Sequence, residues 1–145
     1  MVCDAYHLTS LDPDSLRHLL EQSRTIAIVG LSPDEQRTSH GVARYLQAHG
    51  YRIVPVNPRC TELLGERCYA SLEEIPFPVD VVDVFRRSEE VLPIARSAVA
   101  IGARCLWQQL GVVNTEADAI ATANGLVSVM DRCIKVDHRQ LLPGR

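Results

Sequence analysis

The sequence lacks the features of a membrane, secreted or nucleic-acid-binding protein. No apolar run approaches the ~20 residues that a membrane-spanning helix needs, and the mean hydropathy is −0.01. The opening segment, MVCDAYHLTSLDPD, has neither the basic nor the apolar region of a signal peptide. The formal net charge of −3 argues against a nucleic-acid partner, because nucleic acids are bound by basic faces. We therefore expect a cytoplasmic protein that binds neither membranes nor nucleic acid.

The five cysteines are irregularly spaced. No two cysteines form a CxxC pair, and no cluster of cysteine and histidine has the spacing of zinc ligands. A disulfide framework is not expected, because the cysteine count is odd and there is no signal peptide. We expect no metal site and interpret the cysteines as small buried side chains: Cys3, Cys60, Cys68, Cys105 and Cys133.

Short β-branched runs alternate with helical patterns along the chain. The predicted strands are residues 25–30, 51–56, 79–85, 103–107 and 126–130. The predicted helices are residues 12–22, 39–49, 88–101 and 115–125, with Thr115 as the N-cap of the last one. A further short strand is predicted at 65–69, and His138 is assigned to a polar tail. This alternation predicts an α/β fold: a Rossmann-like, doubly wound parallel sheet of about five strands, with helices on both faces. The 145 residues are expected to form one domain, 1–145.

Ligands of such sheets bind at the carboxyl ends of the strands. Gly30 ends the first strand, and the next helix begins near Ser39. A helix N-terminus attracts phosphate, and Ser32, Arg37, Thr38 and Ser39 are candidates to add donors and charge there. Thr38 and Ser39 have an alternative role as helix caps. We predict a phosphate or diphosphate site at this loop.

The sequence has neither of the two common nucleotide-binding motifs. Gly30 is not followed by the rest of a GxGxxG pattern, and there is no Walker A loop. An NAD site needs an acidic residue after the second strand to hold the ribose hydroxyls. This chain has Asn57, Pro58 and Arg59 there, although Asn57 has an alternative role in the turn itself. These residues favour a phosphorylated nucleotide other than NAD.

Several segments, in order, resemble a known family. They are IAIVGLSPDEQRTSHGVARYL, GYRIVPVNPRCTELLGERCYASLEEIP, VDVVDVFRR, GARCLWQQLGV and VSVMDRCIKVDH. Together they resemble the small stand-alone CoA-binding proteins, and they are similar to the N-terminal CoA-binding domain of the succinyl-CoA synthetase α subunit. The resemblance covers residues 16–138. It implies coenzyme A as the ligand.

The resemblance also implies roles for particular residues. The loop that holds CoA in the synthetase corresponds to Ser32, Pro33, Asp34 and Glu35. A basic residue of the family falls at Cys60, and Arg59 is the expected substitute. Phe85 and Arg86 are expected beside the same crevice. The segment after the fourth strand is expected to add contacts from Trp107, Gln108 and Gln109, with Trp107 equally suited to the core.

The resulting expectation is a non-catalytic protein that binds CoA or acyl-CoA, as a regulator or carrier. The synthetase needs a second domain with a phosphorylated histidine and a partner with a nucleotide-grasp fold, and 145 residues leave no room for either. No nucleophile–base pair is evident, so no catalytic residue is assigned. Two alternatives are a small NAD-dependent oxidoreductase and a protein-interaction module without a ligand. The sequence identifies no protein partner.

Overall fold

The computed structural model describes residues 12–145, which contain a five-stranded parallel sheet. The strands, in the order β2-β1-β5-β6-β7, are β1 (Thr25–Val29), β2 (Arg52–Val56), β5 (Val81–Val84), β6 (Cys105–Gln108) and β7 (Val127–Val129). A small antiparallel hairpin of β3 (Glu62–Leu63) and β4 (Glu66–Arg67) follows β2. The predicted Rossmann-like α/β fold is confirmed.

Helices cover both faces of this sheet. They are α1 (Pro13–Gln22), α2 (Thr38–Ala48), α3 (Val91–Ala100), α4 (Thr115–Ala123) and α5 (Ile134–Leu141). Side chains alternate along β1, so that Ile26 and Ile28 pack with α1, α2 and α5. Ala27 and Val29 face the other way and pack with α3 and α4. This two-sided burial explains why the strands are apolar throughout rather than alternating.

The order in which strands are added to the sheet reverses at β1. It passes from β1 to β2 on one side, and then returns to place β5 on the other side of β1. The loops that leave β1 and β5 therefore diverge at the carboxyl edge of the sheet and open a cleft between them. The structure thus has its topological switch point at the loop that begins with Gly30.

Several local predictions were wrong in detail. The predicted strand at 65–69 is present as the shorter β4, Glu66–Arg67, and it pairs with β3 in a hairpin that was not predicted, whose turn places Leu64 and Gly65 at positive φ. The cap of α4 is Asn114, whose side chain accepts a hydrogen bond from the Ala117 amide at 2.9 Å. The segment after residue 88 begins with a 3₁₀ turn, Ser88–Glu90, before α3.

The largest error concerns the end of the chain. His138 lies on α5 and is only 2% exposed. Its Nδ1 pairs with the Tyr45 hydroxyl at 2.8 Å. Burial, His49 and Arg145 lower its pKa. His138 is therefore part of the packing between α2 and α5 rather than of a polar tail.

Cys60, Cys68, Cys105 and Cys133 are free thiols, and Cys68 and Cys105 are buried. Burial, reinforced by Asp83, raises the pKa of Cys105. Cys60 and Cys133 are only partly buried, and Cys3 lies outside the described residues. Within residues 12–145, no helix is long and apolar enough to cross a membrane, and no group of three or more histidine, cysteine or acidic side chains could hold a metal ion.

Candidate functional site

Two adjoining cavities occupy the switch point. One has a volume of about 500 Å³ and lies between the Gly30 loop, the start of α2 and the segment after β5. The other has a volume of about 590 Å³ and extends from the same loop to the segment after β2. They share four lining residues, Gly30, Ser32, Arg37 and Arg86, and so form one continuous cleft.

Gly30 brings the two sides of the cleft into contact. Its φ is +90°, and a Cβ at this position would lie 2.5 Å from the Phe85 carbonyl oxygen. The Gly30 amide donates to the Val56 carbonyl at 3.1 Å, while the Phe85 amide donates to the Val29 carbonyl at 2.9 Å. A side chain at residue 30 would therefore force the loop away from β5.

Side chains from two elements hold the loop after β1 in place. The Ser39 hydroxyl accepts a hydrogen bond from the Ser32 amide at 3.0 Å, and His40 Nδ1 donates to the Ser32 carbonyl at 2.9 Å. Asn57 Nδ2 donates to the Leu31 carbonyl at 3.0 Å. The loop is thus tied to α2 and to the end of β2. Sequence reasoning did not single out His40, since nothing in its spacing marks a partner eight residues earlier.

The N-terminus of α2 opens into the cleft. Arg37 is its N-cap and makes no side-chain capping bond. Neither Thr38 nor Ser39 is the cap, and the buried Ser39 hydroxyl is engaged with Ser32. The amides of Thr38 and Ser39 begin the helix, where backbone donors have no partner within an α-helix and carry the positive end of its dipole. With Arg37, Thr38 and Ser39 in the cavity wall, this helix end can accept an anion.

Four arginines line the cleft, and they differ in their partners. Arg37 and Arg59 make no ion pair with any residue of the described chain. Arg86 and Arg87 both pair with Glu90, through Arg86 Nε at 3.0 Å and an Arg87 terminal nitrogen at 3.2 Å. Hydrogen bonds from these two arginines lower the pKa of Glu90. Sequence reasoning missed Glu90 because an acidic residue is not expected in a phosphate site.

The turn after β2 presents Arg59 to the second cavity. Asn57 Oδ1 accepts a hydrogen bond from the Arg59 amide at 2.8 Å, which closes the turn over Pro58. Pro33 lines this cavity from the opposite loop, and Phe85 lines the first cavity. Eleven candidate residues from the sequence therefore come together here: Gly30, Ser32, Pro33, Arg37, Thr38, Ser39, Asn57, Pro58, Arg59, Phe85 and Arg86.

The structure does not bring Trp107, Gln108 and Gln109 to this cleft. All three side chains are buried. Trp107 Nε1 donates to the Arg132 carbonyl at 2.8 Å. Gln108 bonds both the amide and the carbonyl of Asn114, and Gln109 accepts from the Ile134 amide at 3.0 Å. Their side chains hold the loops after β6 and β7 together, and none of the three lines either cavity; for Trp107 this agrees with the alternative of a core position.

A buried carboxyl group lies in the strand that leads to Phe85. Asp83 is fully buried, and neither of its oxygens has a hydrogen-bond partner in the described part of the chain. It pairs in register with Ile28 on β1 and Trp107 on β6. Burial raises the pKa of Asp83 well above its usual range. The carboxyl group lines neither cavity of the cleft.

Comparisons with known proteins agree with the resemblance seen in the sequence. The family model described as CoA binding domain matches residues 24–139. The chain is 44% identical over 123 residues to the uncharacterized protein YneT of Bacillus subtilis (strain 168), covering 85% of this chain and 91% of that protein. A solved structure of a hypothetical protein from Pyrococcus horikoshii OT3 superposes with a TM-score of 0.89 at 37% identity, covering 91% of this chain and 93% of that one.

A longer enzyme also matches part of the chain. The similarity is to acetate–CoA ligase [ADP-forming] I of Archaeoglobus fulgidus, at 33% identity over 58 residues. These residues are 40% of this chain but only 8% of the ligase.

Proposed function

The chain belongs to the CoA binding domain family, and we propose that it binds coenzyme A, free or acylated, in the cleft at its switch point. CoA carries a diphosphate and a separate 3′-phosphate on its ribose, so a site for it needs positive charge in two places. The cleft has two adjoining cavities, each with an arginine that makes no ion pair with the described residues. The main support for the proposal is that each cavity contains an arginine without an ion-pair partner among the described residues.

We assign the diphosphate to the first cavity. The first-turn amides of α2 and the Arg37 guanidinium face it, and both attract phosphate oxygens. Gly30 lets the backbone of the loop lie close to β5, so that a ligand meets backbone rather than a side chain. The hydrogen bonds from Ser39, His40 and Asn57 hold the loop rigid, which reduces the ordering cost of binding.

We assign the 3′-phosphate to Arg59 in the second cavity. A guanidinium pairs with a phosphate through two parallel hydrogen bonds. An NAD site would need a carboxylate here for the ribose hydroxyls, and the turn instead consists of Asn57, Pro58 and Arg59. The side chain of Asn57 is occupied by the Leu31 carbonyl and the Arg59 amide. The turn therefore favours CoA over NAD.

We further propose that the domain acts in the cytosol without catalysing a reaction, as a carrier or regulator. The similarity to the acetate–CoA ligase covers only 58 residues. It therefore supports CoA binding and gives no support for ligase activity. The ionisable side chains of the first cavity are three arginines and Glu90, which is paired with two of them. Four free thiols in residues 12–145 suit a reducing compartment.

Calorimetric titration with CoA, dephospho-CoA and NAD tests the proposal. We expect the affinity to fall in that order, because dephospho-CoA lacks only the group assigned to Arg59 and NAD also lacks the pantetheine arm. Tighter binding of NAD than of CoA would overturn the choice of ligand. Failure of all three ligands to bind, combined with a stable complex with another protein, would instead support an interaction module.

A further inference from the structure

Glu90 occupies an unexpected position for an acidic side chain. It ends the 3₁₀ turn Ser88–Glu90 that follows β5, and it lines the first cavity together with Arg37, Arg86 and Arg87. Its carboxylate therefore faces the space that the proposed function assigns to the diphosphate. A negative charge there opposes a phosphate unless it has another role.

Glu90 is held by two arginines. One carboxylate oxygen lies 3.0 Å from Arg86 Nε, and the other lies 3.2 Å from an Arg87 terminal nitrogen. Each oxygen thus engages a different guanidinium, as two oxygens of a phosphate would. Because both hydrogen bonds favour the charged form, the pKa of Glu90 is lowered and the carboxylate is ionised throughout the neutral range.

Arg86 is fixed to the loop as well as to Glu90. Its Cδ lies 2.9 Å from the position that a Cβ on Gly30 would take, so the aliphatic part of Arg86 packs directly over the glycine. Arg86 also lines the first cavity. Because Gly30, the start of α2 and Arg86 line one cavity, a phosphate bound there would compete with Glu90 for this guanidinium.

We infer that Glu90 is an internal substitute for the ligand's phosphate: it holds Arg86 and Arg87 at the cleft and gives up at least Arg86 when a diphosphate binds. The inference rests on the proposed function and adds a regulatory residue to the same site. Glu90 keeps the cationic side chains from repelling one another, at the expense of affinity. It also disfavours weakly charged ligands, because these cannot displace a carboxylate from two arginines.

The neighbouring residue supplies a matched control. Glu89 lies in the same 3₁₀ turn and contacts Arg87 only at 3.8 Å. It is not among the residues that line the cleft. Glu90→Gln and Glu89→Gln both remove one negative charge and keep the shape of the side chain. A general effect of net charge would appear equally in both variants.

The test is calorimetric titration of wild type, Glu90→Gln and Glu89→Gln with CoA at low and high salt. We expect Glu90→Gln to bind CoA about three- to tenfold more tightly than wild type at low salt, with the gain shrinking as salt screens the charge. Glu89→Gln should change affinity much less. The Nε resonance of Arg86 should shift on titration of wild type with CoA.

The outcomes separate the inference from the proposed function. Unchanged or weaker binding of CoA by Glu90→Gln, with wild type binding normally, overturns the role of Glu90. An Arg86 Nε resonance that does not move at saturation overturns the exchange of partners. Failure of wild type itself to bind CoA overturns the proposed function. Thermal unfolding of each variant shows whether a changed affinity reflects a changed fold.

Discussion

Gly30 and the Phe85 carbonyl oxygen are in such close contact that a Cβ on Gly30 would lie 2.5 Å away from that oxygen. The contact joins the first residue after β1 to the first residue after β5, across the point where the sheet reverses its strand order. It sets the width of the cleft, because the loop toward α2 and the segment toward α3 diverge from this pair.

Gly30→Ala should lower the free energy of unfolding by about 3 kcal/mol, since it combines a strained positive φ with a steric clash against backbone. Gly50 is the matched control: its φ is +93°, but a Cβ there would meet nothing within 4 Å. Gly50→Ala should therefore cost only about 1 kcal/mol. Denaturant unfolding measures both. Equal losses in the two variants would show that the contact with Phe85 has no energetic role.

Arg59→Ala should remove most of the preference for CoA over dephospho-CoA. The lost interaction with the 3′-phosphate is expected to be worth about 1–3 kcal/mol, by the strength of charge-assisted hydrogen bonds. Arg37→Ala should instead weaken both ligands alike, because they share the diphosphate. Arg96→Ala, on an exposed position of α3, serves as a charge control. If Arg59→Ala retains the full preference for CoA in calorimetric titration, another group holds the 3′-phosphate.

Asp83→Asn should make the protein more stable at pH 8 than wild type. Burial raises the folded-state pKa of Asp83, so the folded protein binds a proton that the unfolded chain releases near pH ~4. The contribution of Asp83 to the free energy of unfolding is therefore fully present below its unfolded-state pKa. It is lost as the pH rises toward the folded-state pKa, with the slope expected when unfolding releases one proton. Unfolding of both proteins between pH 4 and 8 measures this. If the difference in free energy of unfolding between the two proteins does not change as the pH rises, Asp83 is not neutral in the folded protein.

His138 should have the opposite dependence on pH. Its folded-state pKa is lowered, first by burial and then by His49 and Arg145. The contribution of His138 to the free energy of unfolding is therefore fully present above its unfolded-state pKa of ~6.5. It is lost as the pH falls through the lowered folded-state pKa. Nuclear magnetic resonance titration of the imidazole measures the folded pKa directly. His49→Gln should raise that pKa, and an unchanged titration would remove His49 as a cause.

The last helix shows why a correct fold prediction still missed an element. The buried side of α5 includes Asp137 and His138 beside Ile134, so a search for apolar side chains at helical spacing fails. Asp137 is buried because it receives two hydrogen bonds from Arg132, at 2.8 and 2.7 Å, and His138 because it pairs with Tyr45. Arg132 lies just before the helix, but nothing in the pattern marks it as the partner of a buried Asp137, and Tyr45 is distant in sequence on α2.

The residues after β6 show the same limit at the site. A position just after a parallel strand places a side chain at the correct edge of the sheet, but not on the correct side. Gln109 follows β6 directly and yet turns inward to the Ile134 amide. The position of a residue just after a strand therefore predicts that it lies at this edge of the sheet. Long-range hydrogen bonds decide which residues at that edge face the cleft.

The sequence by itself determined the class of fold, the order of the five sheet strands and the first four helices along the chain, and the loops that form the cleft. These follow from local signals: β-branched runs buried on both faces, and Gly30 at a strand end. Only the tertiary structure decided that Arg37 and Arg59 have no ion-pair partner in residues 12–145 while Arg86 and Arg87 share Glu90. The physical reason is that an ion pair needs its charged atoms within about 4 Å of each other. The positions of these side chains depend on the packing of the whole domain.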